Sequence, residues 1–154
     1  AAAPRDYGET LRSVFIGWAR VAKEEARLAE TAERWISFLN LKAVMGQLAV
    51  NLSGGQKKLL ELGRVLMLNP KCILLDEPFA GVNPVLIGEI SDKIRELNAS
   101  QGIAFVIIEH HLEALKALVQ HLYVMDQGRV IADGDPVVVL DDPRVHEAYM
   151  GGVI

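Results

Sequence analysis

The sequence predicts an α/β fold, a mostly parallel sheet flanked by helices, with a helical subdomain ahead of it. Three observations predict this. Short apolar runs at residues 72–75 and 104–108 alternate with helix-period segments of about ten residues or more, the pattern of parallel strands joined by crossover helices. Hydrophobic residues make up 51% and charged residues 23% of the 154, which suits a packed core and excludes a disordered chain. The opening third carries no strand signal. A helical part over residues 1–52 is therefore expected before an α/β part over 53–154.

Each element has its own signal. In residues 19–39, Val21, Leu28, Trp35 and Leu39 form one stripe with Ala32 and Ile36 beside it, while Lys23, Glu24, Glu25, Glu30, Glu33 and Arg34 occupy the other faces. The aromatics Phe15, Trp18 and Trp35 are expected to pack a small helical layer. A second helix runs from near Ser53 to near Leu68, stopped by Asn69-Pro70, because a residue before proline is pushed out of the helical region. Residues 72–75 read as a buried parallel strand, and Cys72, the single cysteine, as a small core residue that can form no intrachain disulfide. Ile87, Ile90, Ile94 and Leu97 mark a third helix, residues 104–108 a second buried strand, and residues 112–119 a further helix. Residues 122–125 and 130–132 flank Gln127-Gly128, which predicts a strand pair or hairpin. Residues 137–150 read as helix interrupted at Pro143.

Charge excludes some partners. The net charge of -4 gives no broad attraction to nucleic acid or to an anionic membrane, and no nucleic-acid partner is expected. Lys57-Lys58 is the only adjacent basic pair and reads as a solvated helix face. The opening AAAPRDYGE lacks a basic region followed by an apolar stretch, so it does not read as a signal peptide. No apolar run approaches the ~20 residues of a membrane-spanning helix, so any membrane role is expected to go through a partner.

Three clusters carry chemistry. Leu52-Ser53-Gly54-Gly55-Gln56 opens a helix. The unpaired amides of its first turn and the helix dipole suit a phosphate, and two glycines allow close approach. Ser53 with Gln56 equally fits a capping box, which stabilises the helix by ~1 kcal/mol and needs no ligand. The run Ile73-Leu74-Leu75-Asp76-Glu77-Pro78 delivers two adjacent carboxylates at the C-terminal end of a strand, where ligands of open α/β sheets bind. One carboxylate can hold Mg²⁺, and its neighbour can orient or deprotonate a water that attacks phosphorus. The alternative is a strand exit with two solvated acids. His110 follows the strand at 104–108 by two residues and can donate to a terminal phosphate, or it can be a surface or helix-capping histidine.

In order and spacing these clusters resemble the ABC ATPases. LSGGQ is similar to that family's signature motif, ILLDEP to its Walker B strand with the following glutamate, and IIEHH to its switch-histidine loop, with His110 as the switch. Phe79-Ala80-Gly81-Val82-Asn83-Pro84 takes the place of the D-loop. The tail from Gly134-Asp135-Pro136 through Asp142-Pro143 to Glu147-Ala148-Tyr149-Met150-Gly151 is similar to ATPases of branched-chain amino acid importers, and the AGV-x-P turn is shared with lipopolysaccharide-export ATPases. Asn83 stands where many family members have aspartate, but the amino acid importers resembled here often have asparagine there, and His121 stands where aspartate is common.

The resemblance implies an incomplete P-loop NTPase-type fold, ATP and Mg²⁺ as cofactors, and two nucleotide-binding subunits that sandwich ATP head to tail. Ser53, Gly54, Gly55 and Gln56 would contact the γ-phosphate held by the opposite subunit. Asp76 would hold Mg²⁺ through water, Glu77 would be the general base or water-orienting group, His110 would sense the γ-phosphate, and Asn83 would lie at the subunit contact. Residues from about Arg12 to Leu52 would help meet ABC permease subunits, which places the protein in the cytoplasm, peripheral to the inner face of the cell membrane. No G-x-x-x-x-G-K-[ST] occurs in the chain. That loop is the main phosphate grip of the family. The chain is therefore expected to be the C-terminal portion of such a subunit, without useful ATP affinity alone, and its unpaired strand edges are expected to favour self-association. Import of branched-chain amino acids, lipid or polysaccharide export, and a non-catalytic remnant acting as an interaction module all remain open at this point.

Overall fold

The computed structural model describes residues 18–150. The chain divides into two compact units, residues 1–108 and 109–154. The expected division after Leu52 lies inside the first.

Among the described residues, the first unit opens with α1 (Trp18–Phe38), followed by single 3-10 turns at Lys42–Val44 and Ala49–Asn51. The apolar stripe of α1 turns inward at its C-terminal end, where Leu39 is 1% exposed and Trp35 meets the edge of Phe38 with centroids 5.8 Å apart. Lys93 Nζ lies 4.4 Å above the Phe38 ring. Trp18 departs from expectation: it is 77% exposed, because it opens the helix and no described residue covers it. Phe15, expected beside it, lies outside the described residues.

Helix α2 (Gly54–Leu66) packs on α1. It ends through Asn69, whose φ of 51° is left-handed, a region that asparagine tolerates better than most residues. Strand β1 (Cys72–Asp76) follows, then α3 (Pro84–Gln101) and β2 (Ala104–Ile108). Asn83 caps α3, with Pro84 in its first turn, and Gly102 ends it at φ 65°. The expected stripe is its buried face: Ile87, Ile90, Ile94 and the fully buried Leu97.

β1 and β2 pair in parallel, Cys72 opposite Ala104 through Asp76 opposite Ile108. Alternation puts Ile73, Leu75, Phe105 and Ile107 on the inward face. The outward face corrects the expectation of buried strands: Leu74 is 76% and Ile108 63% exposed, Val106 is exposed, and Cys72 is exposed rather than a core residue. The physical reason is that helices cover only one side of this two-stranded pair among the described residues.

The second unit contains α4 (Leu112–Leu118), β3 (Leu122–Asp126), β4 (Arg129–Gly134), α5 (Pro136–Leu140) and α6 (Pro143–Met150). β3 and β4 form the expected hairpin, antiparallel, with an irregularity between Val124 and Met125. Gln127 (φ 44°) and Gly128 (φ 78°) turn it, the two positive angles of a type I′ turn. Asp135 caps α5 with bonds from the Val137 and Val138 amides. Asp142 accepts from the Arg144 amide at 2.8 Å and from its guanidinium, and this pairing holds the Asp142 carboxyl below its usual value. Leu115, Leu118, Leu122, Ala132, Val139 and Val145 form the core of this unit. The strands are thus one parallel and one antiparallel pair among the described residues, not the mostly parallel sheet expected. No described helix is long and apolar enough to cross a membrane.

Candidate functional site

β1 ends by exposing Asp76, and Glu77 makes the turn that follows. Glu77 has φ 46°, a left-handed backbone that costs a non-glycine residue roughly 1–2 kcal/mol. Pro78 disfavours the right-handed alternative for the residue before it. Hydrogen bonds of its backbone help to hold the left-handed one. The Glu77 amide donates to the Ile108 carbonyl at 2.9 Å, extending the parallel ladder by one step. The Glu77 carbonyl accepts from the Ala80 amide at 3.2 Å and from Lys58 Nζ at 3.3 Å. Phe79, 4% exposed, anchors the turn in the core. A cavity of about 210 Å³ lies beside it, with Lys58, Glu61, Leu75, Asp76 and Pro78 in its wall.

The start of α2 forms the capping box: Ser53 Oγ accepts from the Gln56 amide at 3.3 Å and Gln56 Oε1 accepts from the Ser53 amide at 2.9 Å. Both side chains therefore serve the helix end itself. A phosphate would have to be met by the first-turn amides, which have no intrahelical acceptor, and by the open space at Gly54. Gly54 is exposed and faces the turn after β1, since a Cβ there would sit 3.5 Å from the Gly81 carbonyl. Gly55 is buried under α3, and a Cβ there would lie 1.6 Å from Leu86 Cδ2. Asn83 Oδ1 accepts from the Leu86 amide at 3.0 Å. Within the first unit, then, residues 53–56, Asp76, Glu77 and Asn83 belong to α2, β1 and the cap of α3.

His110 belongs to the second unit, two residues beyond the Ile108 that pairs with Asp76. Its side chain is exposed, and its Nδ1 lies 3.7 Å from Glu109 Oε2. The buried Glu109 carboxylate also accepts from the His110 and His111 amides at 2.9 and 3.2 Å. His111 Nδ1 accepts from the Ala114 amide and caps α4, so helix capping falls to the second histidine of the pair. The Tyr149 hydroxyl of α6 donates to the His110 carbonyl at 2.6 Å.

Sequence reasoning missed Lys58 and Tyr149. Lys58 is one half of a basic pair read as solvated, yet it is half-buried while Lys57 is exposed. No sequence signal marks a bond spanning 39 residues such as that from Tyr149. Among the described residues, no three or more His, Cys, Asp or Glu side chains gather to hold a metal. Asp76 alone still fits Mg²⁺, which keeps several waters and commonly takes one or two carboxylates plus phosphate oxygens.

Comparison with known proteins identifies the family of the chain. The family described as ABC transporter matches residues 6–80, and that described as branched-chain amino acid ATP-binding cassette transporter matches residues 129–153. The chain is 42% identical over 149 residues to the probable branched-chain amino acid transport ATP-binding protein LivG of Archaeoglobus fulgidus, covering 97% of this chain and 57% of that protein. It is 46% identical over 145 residues to the protein of the same description in Methanocaldococcus jannaschii, covering 92% and 55%. The ADP conformation of an ATP-binding cassette of an ABC transporter superposes with a TM-score of 0.76 at 46% identity, covering 81% of this chain and 50% of that one. The chain thus spans little more than half the length of these relatives. On motifs, fold and identity together, it belongs to the ABC transporter ATP-binding proteins, of the branched-chain amino acid LivG type.

Proposed function

We propose that this chain is the C-terminal portion of a subunit that hydrolyses ATP to drive import of branched-chain amino acids. The observation that carries the reading is the placement of the exposed Asp76 and the left-handed Glu77 at the end of β1, beside the turn that faces the Gly54 helix tip. Hydrolysis needs a carboxylate to orient or deprotonate the attacking water, and Glu77 takes that role. Asp76 would hold Mg²⁺ through water; when bound, the ion neutralises charge on the phosphates. The amides at Gly54 and Gly55, steadied by the Ser53–Gln56 box, would meet the γ-phosphate held by a second nucleotide-binding subunit, with Asn83 at the contact between the two. His110 would sense a γ-phosphate by donating a hydrogen bond to it. Closure on ATP and reopening after hydrolysis would move the permease subunits, which places the protein at the cytoplasmic face of the membrane.

The solute is read from the relatives and the C-terminal family match. Deleting the gene that carries this sequence is expected to abolish uptake of labelled leucine, isoleucine and valine. Normal uptake combined with a defect in envelope lipid or polysaccharide would replace this reading with export.

The outward face of β1 and β2 favours association with another polypeptide, including a second copy of this chain. Sedimentation of the 154-residue chain is expected to show oligomers, and a stable monomer at high concentration excludes self-association.

A further inference from the structure

Lys58 joins two parts of the proposed site that serve different nucleotides. It lies on α2, whose N-terminal turn carries Ser53, Gly54, Gly55 and Gln56. Its ammonium reaches across to the carbonyl of Glu77, 19 residues away, at 3.3 Å. That carbonyl belongs to a left-handed residue, and the backbone there persists only because its surroundings over-determine it. The bonds from Ala80 and to Ile108 lie within the β1–β2 pair and its own turn. The bond from Lys58 comes from the signature helix. A charged donor makes it stronger than a neutral bond of the same length. Lys58 is half-buried in the wall of the 210 Å³ cavity with Asp76, so its stem packs while its head reaches the turn.

We infer that Lys58 is a positioning residue that sets the backbone of Glu77 from α2, so that seating of the α2 tip and aim of the Glu77 carboxylate are mechanically linked. The inference rests on the ATPase reading above. In that reading the α2 tip meets the nucleotide of the opposite subunit while Glu77 acts on the nucleotide of its own. A shift of α2 on closure is then passed to Glu77 through one ammonium–carbonyl bond. Arginine can reach the same carbonyl, whereas methionine keeps the packing stem and loses the donor.

Two measurements test this. In the 154-residue chain, NMR should show the strong intraresidue HN–Hα contact of positive φ at Glu77 in the wild type and in Lys58→Arg, and lose it in Lys58→Met. Persistence in Lys58→Met overturns the structural link. In a full-length subunit bearing this sequence, Lys58→Met should lower kcat for ATP about tenfold with KM within about twofold, and Lys58→Arg should restore it. A wild-type kcat in Lys58→Met, or equal loss of kcat in both variants with equal loss of thermal stability, overturns the positioning role. Glu77→Gln is the control that separates the two ideas. If it abolishes hydrolysis while Lys58→Met does not, only the link fails; if it leaves hydrolysis intact, the ATPase role of Glu77 fails first.

Discussion

Replacing Glu77 by glutamine in a full-length subunit is expected to lower ATP turnover by about 10²–10⁴-fold, the usual contribution of a positioned general base. ATP-driven pairing of two subunits is expected to survive. The reason lies in the backbone. Glu77 is held in its left-handed turn by bonds of its amide and carbonyl to Ile108, Ala80 and Lys58, none of which involves its carboxylate. Glutamine keeps the length and shape of the side chain and leaves these backbone bonds in place, so the turn is expected to persist while the capacity to accept a proton goes. Steady-state phosphate release measures the first effect and gel filtration with ATP the second. Unchanged turnover would remove Glu77 from its role, and loss of pairing would show that the carboxylate also holds structure.

Gly55→Ala is expected to destabilise the first unit by about 1–3 kcal/mol, the range for forcing an extra methyl group into a packed interface. The added Cβ would fall 1.6 Å from Leu86 Cδ2 and 2.6 Å from its Cγ. Because the branch point itself overlaps, turning one methyl does not clear the clash; the whole Leu86 side chain must swing out, or α2 and α3 must part. Gly54→Ala, whose Cβ would meet only the Gly81 carbonyl at 3.5 Å, should be milder. Chemical denaturation reads the difference, and Leu86→Ala should restore most of the loss in Gly55→Ala. Equal stability of wild type and Gly55→Ala would mean that the two helix ends do not pack as described. The two adjacent glycines of the motif thus answer to different demands: the first leaves the turn open, the second lets two helices touch.

The parts of the molecule that were legible in the sequence are those governed by local rules. Ser53 and Gln56 announced the capping box, Gln127-Gly128 announced the hairpin turn, and Ile87, Ile90, Ile94 and Leu97 announced the buried face of α3. Each depends on residues within a turn or two of one another. What escaped depends on distant chain. Leu74 and Cys72 sit in an apolar run that reads as buried, yet burial is set by what lies on the sheet, and nothing described lies on their face. Trp18 escaped for the same reason. The left-handed Glu77 had one local cue, the proline after it, but its hold on Lys58 and Ile108 is tertiary. The candidate site was legible as residue types, since Asp76, Glu77 and His110 were chosen by order and spacing. The identity of the helix-capping histidine had to come from geometry, which assigns it to His111.

The two strand pairs differ in how soon they can form. The turn at Gln127 and Gly128 closes β3 on β4 within its own neighbourhood, and hairpins of this kind assemble in about 1–10 μs. β1 meets β2 only after the 18-residue α3 has been traversed, so its ends must be gathered against chain entropy before any ladder bond forms. Protection of the Val124 and Ala132 amides in a pulse-labelled refolding experiment should therefore precede protection of Leu75 and Val106, and the region bearing the paired acids should take shape after the hairpin.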